Sequence, residues 1–176
     1  MNTAFNAIDR RLMARAVELA ELGLHTTDPN PRVGAVIAQG EQVVGEGWHE
    51  RAGEAHAEVH ALRAAGGQAR GATLYVSLEP CNHHGRTGPC TEALMAAGIA
   101  RVVCAMADPN PAVEGHGIDK LRAAGIHVQC GLLEDAARRL NPGFIRRMER
   151  GVPWVRLKLG VSLDGRTALT SGESRW

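Results

Sequence analysis

Apolar side chains recur at helical spacing near the N-terminus, where Ile8, Leu12, Ala16, Leu19 and Ala20 share one face of a helix over residues 8–23 that Gly23 ends. Asp28-Pro29-Asn30-Pro31 then breaks the pattern, because this proline-rich cluster continues neither a helix nor a central strand. Val33–Ala38 and Gln42–Trp48 flank Gln39-Gly40-Glu41 and predict a β-hairpin. Ala55–Ala65 reads as a helix ended by Gly66-Gly67. Beyond it, predicted strands at 73–78, 101–106 and 126–130 alternate with helices at 90–97 and 117–124, ended by Gly98 and Gly125. That rhythm requires right-handed crossovers and a locally parallel sheet covered on both faces. Joined to the hairpin, it predicts an α/β fold: a five-stranded mixed sheet in a three-layer α/β/α arrangement. Residues 132–140 and 142–150 form two closing helical segments, with Asn141 as cap and Pro142 at the first helical position. The first domain is therefore expected to span 1–150.

The pattern changes after that. Val155, Leu157, Leu159, Val161 and Leu163 alternate with Arg156, Lys158, Gly160 and Ser162, the signature of a half-buried strand, and Asp164-Gly165 marks a turn. One strand and a turn bury no core of their own. Residues 151–176 read as the opening of a second domain whose remainder is missing. The alternating tail either pairs its edge with another chain or stays without order, so the pattern leaves a homo-oligomer open without requiring one.

Composition narrows the function classes. The chain has 176 residues, 44% of them hydrophobic and 22% charged, with a formal net charge of +1. That balance suits a globular domain and supplies no strong field for nucleic acid or a membrane surface. No stretch reaches membrane-spanning length and the N-terminus carries no apolar leader, which predicts a cytoplasmic protein. In that compartment clustered cysteines favour metal over disulfides. Cys104 and Cys130 fall in predicted strands and read as small buried hydrophobes. The arginines at 138, 139, 146, 147 and 150 read as a solvated helix face. Gly115 and Gly117 bracket His116 ahead of a helix, a short pattern shared by phosphate cradles and ordinary turns.

The chemistry concentrates in His56-Ala57-Glu58, Pro80-Cys81 and Cys90. His56 and Glu58 open one predicted helix, Cys81 follows a strand at the carboxyl edge of the parallel half, and Cys90 begins the next helix. One imidazole and two thiolates hold a zinc ion with a fourth position left for water, the catalytic arrangement. A carboxylate two residues after the histidine can move the protons of a hydrolytic deamination. A closed structural site would instead need a fourth protein ligand, for which His60, His83 and His84 are at hand. The nucleobase deaminases space their cysteines as C-x-x-C. Here eight residues, Asn82 to Pro89, intervene, a His-, Arg- and Gly-rich loop suited to a polar, phosphorylated substrate or to an ordinary surface excursion.

Residues 49–58 with 79–90 resemble the deaminase domain of the bifunctional riboflavin-biosynthesis deaminase–reductases, and the resemblance spans 8–150. Residues 153–159 and 162–168 are similar to the first strand of the same family's reductase domain. The resemblance implies a cytidine-deaminase-like fold and one zinc per chain on His56, Cys81 and Cys90, with Glu58 catalytic. It implies hydrolysis of 2,5-diamino-6-ribosylamino-4(3H)-pyrimidinone 5′-phosphate to the dione with release of ammonia. By position it implies substrate contacts from Asn30, His49, His83, Arg86 and Asn110. Arg86 suits a phosphate through its planar fork of donors. Asn30 and Asn110 occupy equivalent places in two copies of Asp-Pro-Asn-Pro, at 28–31 and 108–111. NADPH and a dihydrofolate-reductase-like unit would belong only to the missing second domain, so no reductase activity is expected of this chain.

Two other readings stay open on sequence alone. A deaminase of cytidine or of adenosine in RNA uses the same zinc chemistry, although RNA recognition leans on stacking aromatics. This chain has three tryptophans, one tyrosine and two phenylalanines. A zinc-stabilised binding module would keep the metal without turnover.

Overall fold

The structure, a computed structural model, describes residues 5–83, 88–111 and 113–174. In chain order the elements are α1 (Ala7–Glu21), the hairpin β1 (Gly34–Gln39) and β2 (Gln42–Trp48), α2 (Ala57–Ala65), β3 (Thr73–Val76), α3 (Cys90–Ala97), β4 (Arg101–Cys104), α4 (His116–Ala123), β5 (His127–Cys130), α5 (Glu134–Leu140) and α6 (Pro142–Arg150). The strands form one sheet in the order β2-β1-β3-β4-β5. β1 runs antiparallel to both β2 and β3, while β3, β4 and β5 run parallel. This is the expected five-stranded mixed sheet.

Alternation along the strands divides the core in two. Ala35, Ile37, Leu74, Val76 and Val102 meet Ala57, Ala61, Leu94, Ile118 and Leu121 from α2, α3 and α4. Val36, Ala38, Tyr75 and Val103 face the other way, onto Leu12, Met13 and Ala16 of α1, Ala137 of α5 and Ile145 of α6. With period two on each strand, every central strand feeds both layers, which explains runs such as Gly34–Ala38 that are buried throughout.

The α2 layer lies unusually close to β2. A Cβ on Gly47 would sit 2.6 Å from the Ala57 carbonyl oxygen, and one on Gly45 would sit 2.3 Å from that of Ala61. Backbone-to-backbone packing of this kind holds the start of α2 in place.

Asp9 ties α1 to three strands. Its buried carboxylate accepts from the Tyr75 hydroxyl (2.9 Å) and from both terminal nitrogens of Arg101 (2.7 and 3.1 Å), and Arg101 also donates to Gln129. Asn6 and Asp9 complete a reciprocal capping box at the start of α1. Burial alone would raise the Asp9 carboxyl, but Arg101, the Asn6 N–H and Tyr75 hold it below its ordinary value. A carboxylate with a depressed folded pKa contributes stability at neutral pH and loses it as pH falls through that pKa. Asp9→Asn is therefore expected to cost about 3 kcal/mol at pH 7. The gap to wild type should begin to close on acidification below about pH 4, the ordinary carboxylate range, and go on closing as pH falls through the lowered pKa of folded Asp9. Urea melts of both proteins across that range check it, and a gap independent of pH would contradict it.

Three expectations are corrected. Residues 151–174 form neither strand nor helix, and Val155 (80% exposed) and Leu157 (78%) stand in solvent. The alternating pattern is present, but a strand exists only through a neighbour's backbone, and none of the described residues supplies one. Cys130 is exposed, whereas its register partner Cys104 is buried, because β5 is the sheet's outer strand. The strands starting at residues 73 and 101 end at Val76 and Cys104, short of their predicted ends, so Leu78 and Met106 lie on the loops leaving the sheet. None of the described helices is long and apolar enough to cross a membrane.

Candidate active site and metal centre

Three elements converge at the carboxyl edge of β3. His56 is the extended N-cap residue of α2, and Glu58 lies in that helix's first turn, only 3% exposed. Cys81 follows β3 on a short loop, and Cys90 is the first residue of α3 after Pro89. His56 Nδ1 stands 3.5 Å from Cys81 Sγ and 3.3 Å from Cys90 Sγ. The three ligand atoms all lie within 4.8 Å of one another. Nitrogen and sulfur on a tetrahedral zinc are separated by about 3.5 Å, given bond lengths of about 2.0 and 2.3 Å. The donor set and its spacing therefore fit zinc. Among the described residues this group has three members: His60 and His83 are outside it. His84 lies outside the described residues.

The electrostatics favour thiolate at Cys81. Its hydrogen bond with Cys90 and its contact with His56 bring the Cys81 thiol down to about 4 against the opposing effect of burial, and the Cys90 N–H donates to its sulfur (3.4 Å). The same pairing, with burial, pushes Cys90 up. Burial, and then the charge on Cys81, raise the Glu58 carboxyl to about 7. A carboxyl that exchanges its proton near neutral pH can both accept and return one.

A cavity of about 510 Å³ opens over this group, and Asn30, His49, His83 and Asn110 line it together with His56, Glu58 and Cys81. Arg86, expected at the phosphate, lies outside the described residues. His49 is buried and its ring meets that of His56 edge-on, with centroids 5.3 Å apart. Its Nδ1 is 3.1 Å from the Ala55 carbonyl, which can only accept, so the proton sits on Nδ1. Burial keeps the ring neutral, so Nε2 accepts from the Asn30 amide nitrogen at 3.1 Å. Both ring nitrogens of His49 are thus engaged with the protein, and the ring sets which way the Asn30 amide faces.

Sequence reasoning missed Glu79. Its buried carboxylate accepts four backbone N–H groups, from Asp108 (3.1 Å), Gly115 (3.0 Å), Gly117 (2.9 Å) and Ile118 (3.1 Å). The glycine pattern at 115–117 is therefore a cradle for the chain's own carboxylate rather than for a phosphate. A Cβ on Gly117 would lie 2.0 Å from the Pro80 carbonyl oxygen, so α4 rests directly on the loop that delivers Cys81. The signal was visible as an acidic residue directly before Pro80-Cys81, but the identity of its partners is a long-range fact. Also missed were Phe144, Arg147 and Met148 of α6, which line the same cavity.

Residues 6–106 match the family model described as the cytidine and deoxycytidylate deaminase zinc-binding region. The chain belongs to that deaminase family. Zinc is thus the metal to which the His-Cys-Cys group answers, and the mixed five-stranded sheet is the cytidine-deaminase-like fold. Within the family, the chain is 61% identical over 168 residues to the riboflavin biosynthesis protein RibD of Escherichia coli (strain K12), covering 96% of this chain and 46% of that protein. It is 50% identical over 145 residues to the diaminohydroxyphosphoribosylamino-pyrimidine deaminase of Buchnera aphidicola subsp. Schizaphis graminum, covering 82% of this chain and 99% of that deaminase. The solved structure of Acinetobacter baumannii RibD superposes with a TM-score of 0.92 at 55% identity, covering 96% of this chain and 48% of that one. The chain spans about half the length of these RibD relatives, and it is homologous to their deaminase half.

Proposed function

We propose that this deaminase hydrolyses the diaminohydroxyphosphoribosylamino-pyrimidine of riboflavin biosynthesis, exchanging a ring amino group for oxygen and releasing ammonia. The observation that carries the reading is the juxtaposition of His56, Cys81 and Cys90 with a buried carboxyl poised near neutrality. The 50% identity to a deaminase named for this substrate, along 99% of its length, supports the choice of substrate.

In this reading His56, Cys81 and Cys90 hold the zinc. When bound, the ion acts as a Lewis acid that brings the ionisation of water toward neutral pH. Glu58 takes the proton from the attacking water as its oxygen bonds to the ring carbon. It then passes protons to the ring nitrogen and to the amine that departs as ammonia, so that one water is consumed per ammonia released. Asn30, oriented by His49, and Asn110 face the heteroaromatic edge, while His83 and Arg86 serve the ribosyl phosphate. Residues 1–150 constitute the deaminase unit, and 151–176 open a reductase unit of the RibD kind, the only part that would use NADPH. A reducing compartment, the cytoplasm, suits a site that needs two unpaired cysteines.

The test is ammonia release from the phosphorylated diamino-pyrimidine, with cytidine and an RNA hairpin as parallel substrates. Turnover of the ribosyl phosphate alone is the expected result. Turnover of cytidine or RNA instead would discard the substrate and keep the hydrolytic chemistry.

A further inference from the structure

The cavity has a wall that lies beyond the region matched to the deaminase family, which ends at residue 106. That wall is α6. Phe144, Arg147 and Met148 stand at positions i, i+3 and i+4, one face of a helix, and all three line the cavity. The helix is fastened to the loop that carries Asn30. Asn141, its cap, accepts from the Arg32 N–H (2.8 Å) and donates to the Arg32 carbonyl (2.8 Å), while the Arg32 guanidinium donates to the Leu140 carbonyl. Ile145, flanking that face of α6, is buried in the core.

Charge sharpens the point. Glu54, Glu58, Glu79 and Asp108 put four carboxyl groups around this cavity, and among its described lining residues Arg147 is the one guanidinium or ammonium group. Neighbouring arginines are occupied: Arg138 pairs with Glu134 and Glu149, and Arg146 lies over the Trp154 ring. Among the described residues no carboxylate is paired with Arg147. A phosphate brought into so acidic a cavity is held more firmly by a second cation in addition to Arg86, and the planar Arg147 guanidinium offers two further parallel donors to it.

We propose that Arg147 is a further specificity-determining residue that binds the phosphate group of the substrate together with Arg86, with Phe144 and Met148 forming the apolar wall along the sugar. The inference rests on the substrate reading above and deepens it. It gives α6 a share in selecting a phosphorylated substrate, alongside the loop between Cys81 and Cys90.

The experiment measures ammonia release by the full 176-residue chain from the phosphorylated diamino-pyrimidine and from its dephosphorylated counterpart. Wild type, Arg147→Ala, Arg147→Lys and a same-helix control, Arg150→Ala, are compared. Loss of a charge-assisted bidentate contact should lower the kcat/KM preference for the phosphorylated substrate roughly 10- to 100-fold in R147A, mainly through KM. R147K should recover part of it and R150A should keep the wild-type preference. Binding of ribose 5-phosphate by calorimetry, weakened in R147A alone, gives a readout independent of turnover. Unchanged preference and unchanged ribose 5-phosphate binding in R147A, with wild type active, would overturn the role of Arg147 and leave the substrate reading intact. Absence of turnover of either substrate by wild type overturns the substrate reading, and this inference with it.

Discussion

Glu58→Gln is expected to slow ammonia release by about two to four orders of magnitude while zinc content stays at one per chain. Glutamine keeps the volume and the hydrogen-bonding reach of the side chain but has no proton to exchange. The substitution therefore removes proton transfer and little else. The position makes the effect large. Glu58 is held in the first turn of α2, two residues from His56 and in a helix pressed against Gly45 and Gly47 of β2, so no other carboxyl can swing into its place without moving the helix. Its raised pKa comes from burial first and the Cys81 charge second, both features of the fold rather than of the residue. Steady-state rates with metal analysis of the same preparations check the prediction. A variant that retains zinc and turns over within about tenfold of wild type would mean that protons leave by another route.

Glu79→Ala is expected to destabilise the fold by roughly 3 kcal/mol or more, because it strands buried N–H groups, each of which costs about 1–3 kcal/mol when left unpaired. Four such groups converge on this carboxylate, three of them from the start of α4, where the helix dipole also favours a negative charge. The consequence reaches the site. Glu79 precedes Pro80-Cys81, while its partners Asp108 and Gly115 flank Asn110, so the same carboxylate binds the metal loop to one asparagine loop. E79A should therefore raise KM for the phosphorylated substrate as well as shift the urea midpoint. Glu79→Gln, which keeps the shape but turns an N–H toward N–H groups, should fall between the two. Unfolding of E79A within about 1 kcal/mol of wild type would show that water or rearrangement satisfies the cradle.

What the chain alone determined is local or periodic. The spacing of Leu12, Ala16 and Leu19 defines the buried face of α1, Gly40 marks the hairpin turn, and the Gly98 and Gly125 stops, with strands between them, define the parallel half of the sheet. The same holds for the reactive side chains. His56, Cys81 and Cys90 announce themselves because each sits at the start of a helix or the exit of a strand, where sequence signals are strongest. The structure brings these three within ligand distance. What only the tertiary structure decided is who meets whom across long separations. The Asn30–His49 pair, the four N–H groups on Glu79 and the turn of α6 that aims Arg147 at the cavity all join segments far apart in the chain. An arginine on an amphipathic helix reads identically whether it faces solvent or a cavity mouth, and an acid before Pro-Cys reads the same with or without a cradle. The alternation of 155–163 shows the same limit from the other side: periodicity specifies which side chains share a face, but hydrogen bonding from a neighbouring backbone decides whether a strand forms at all.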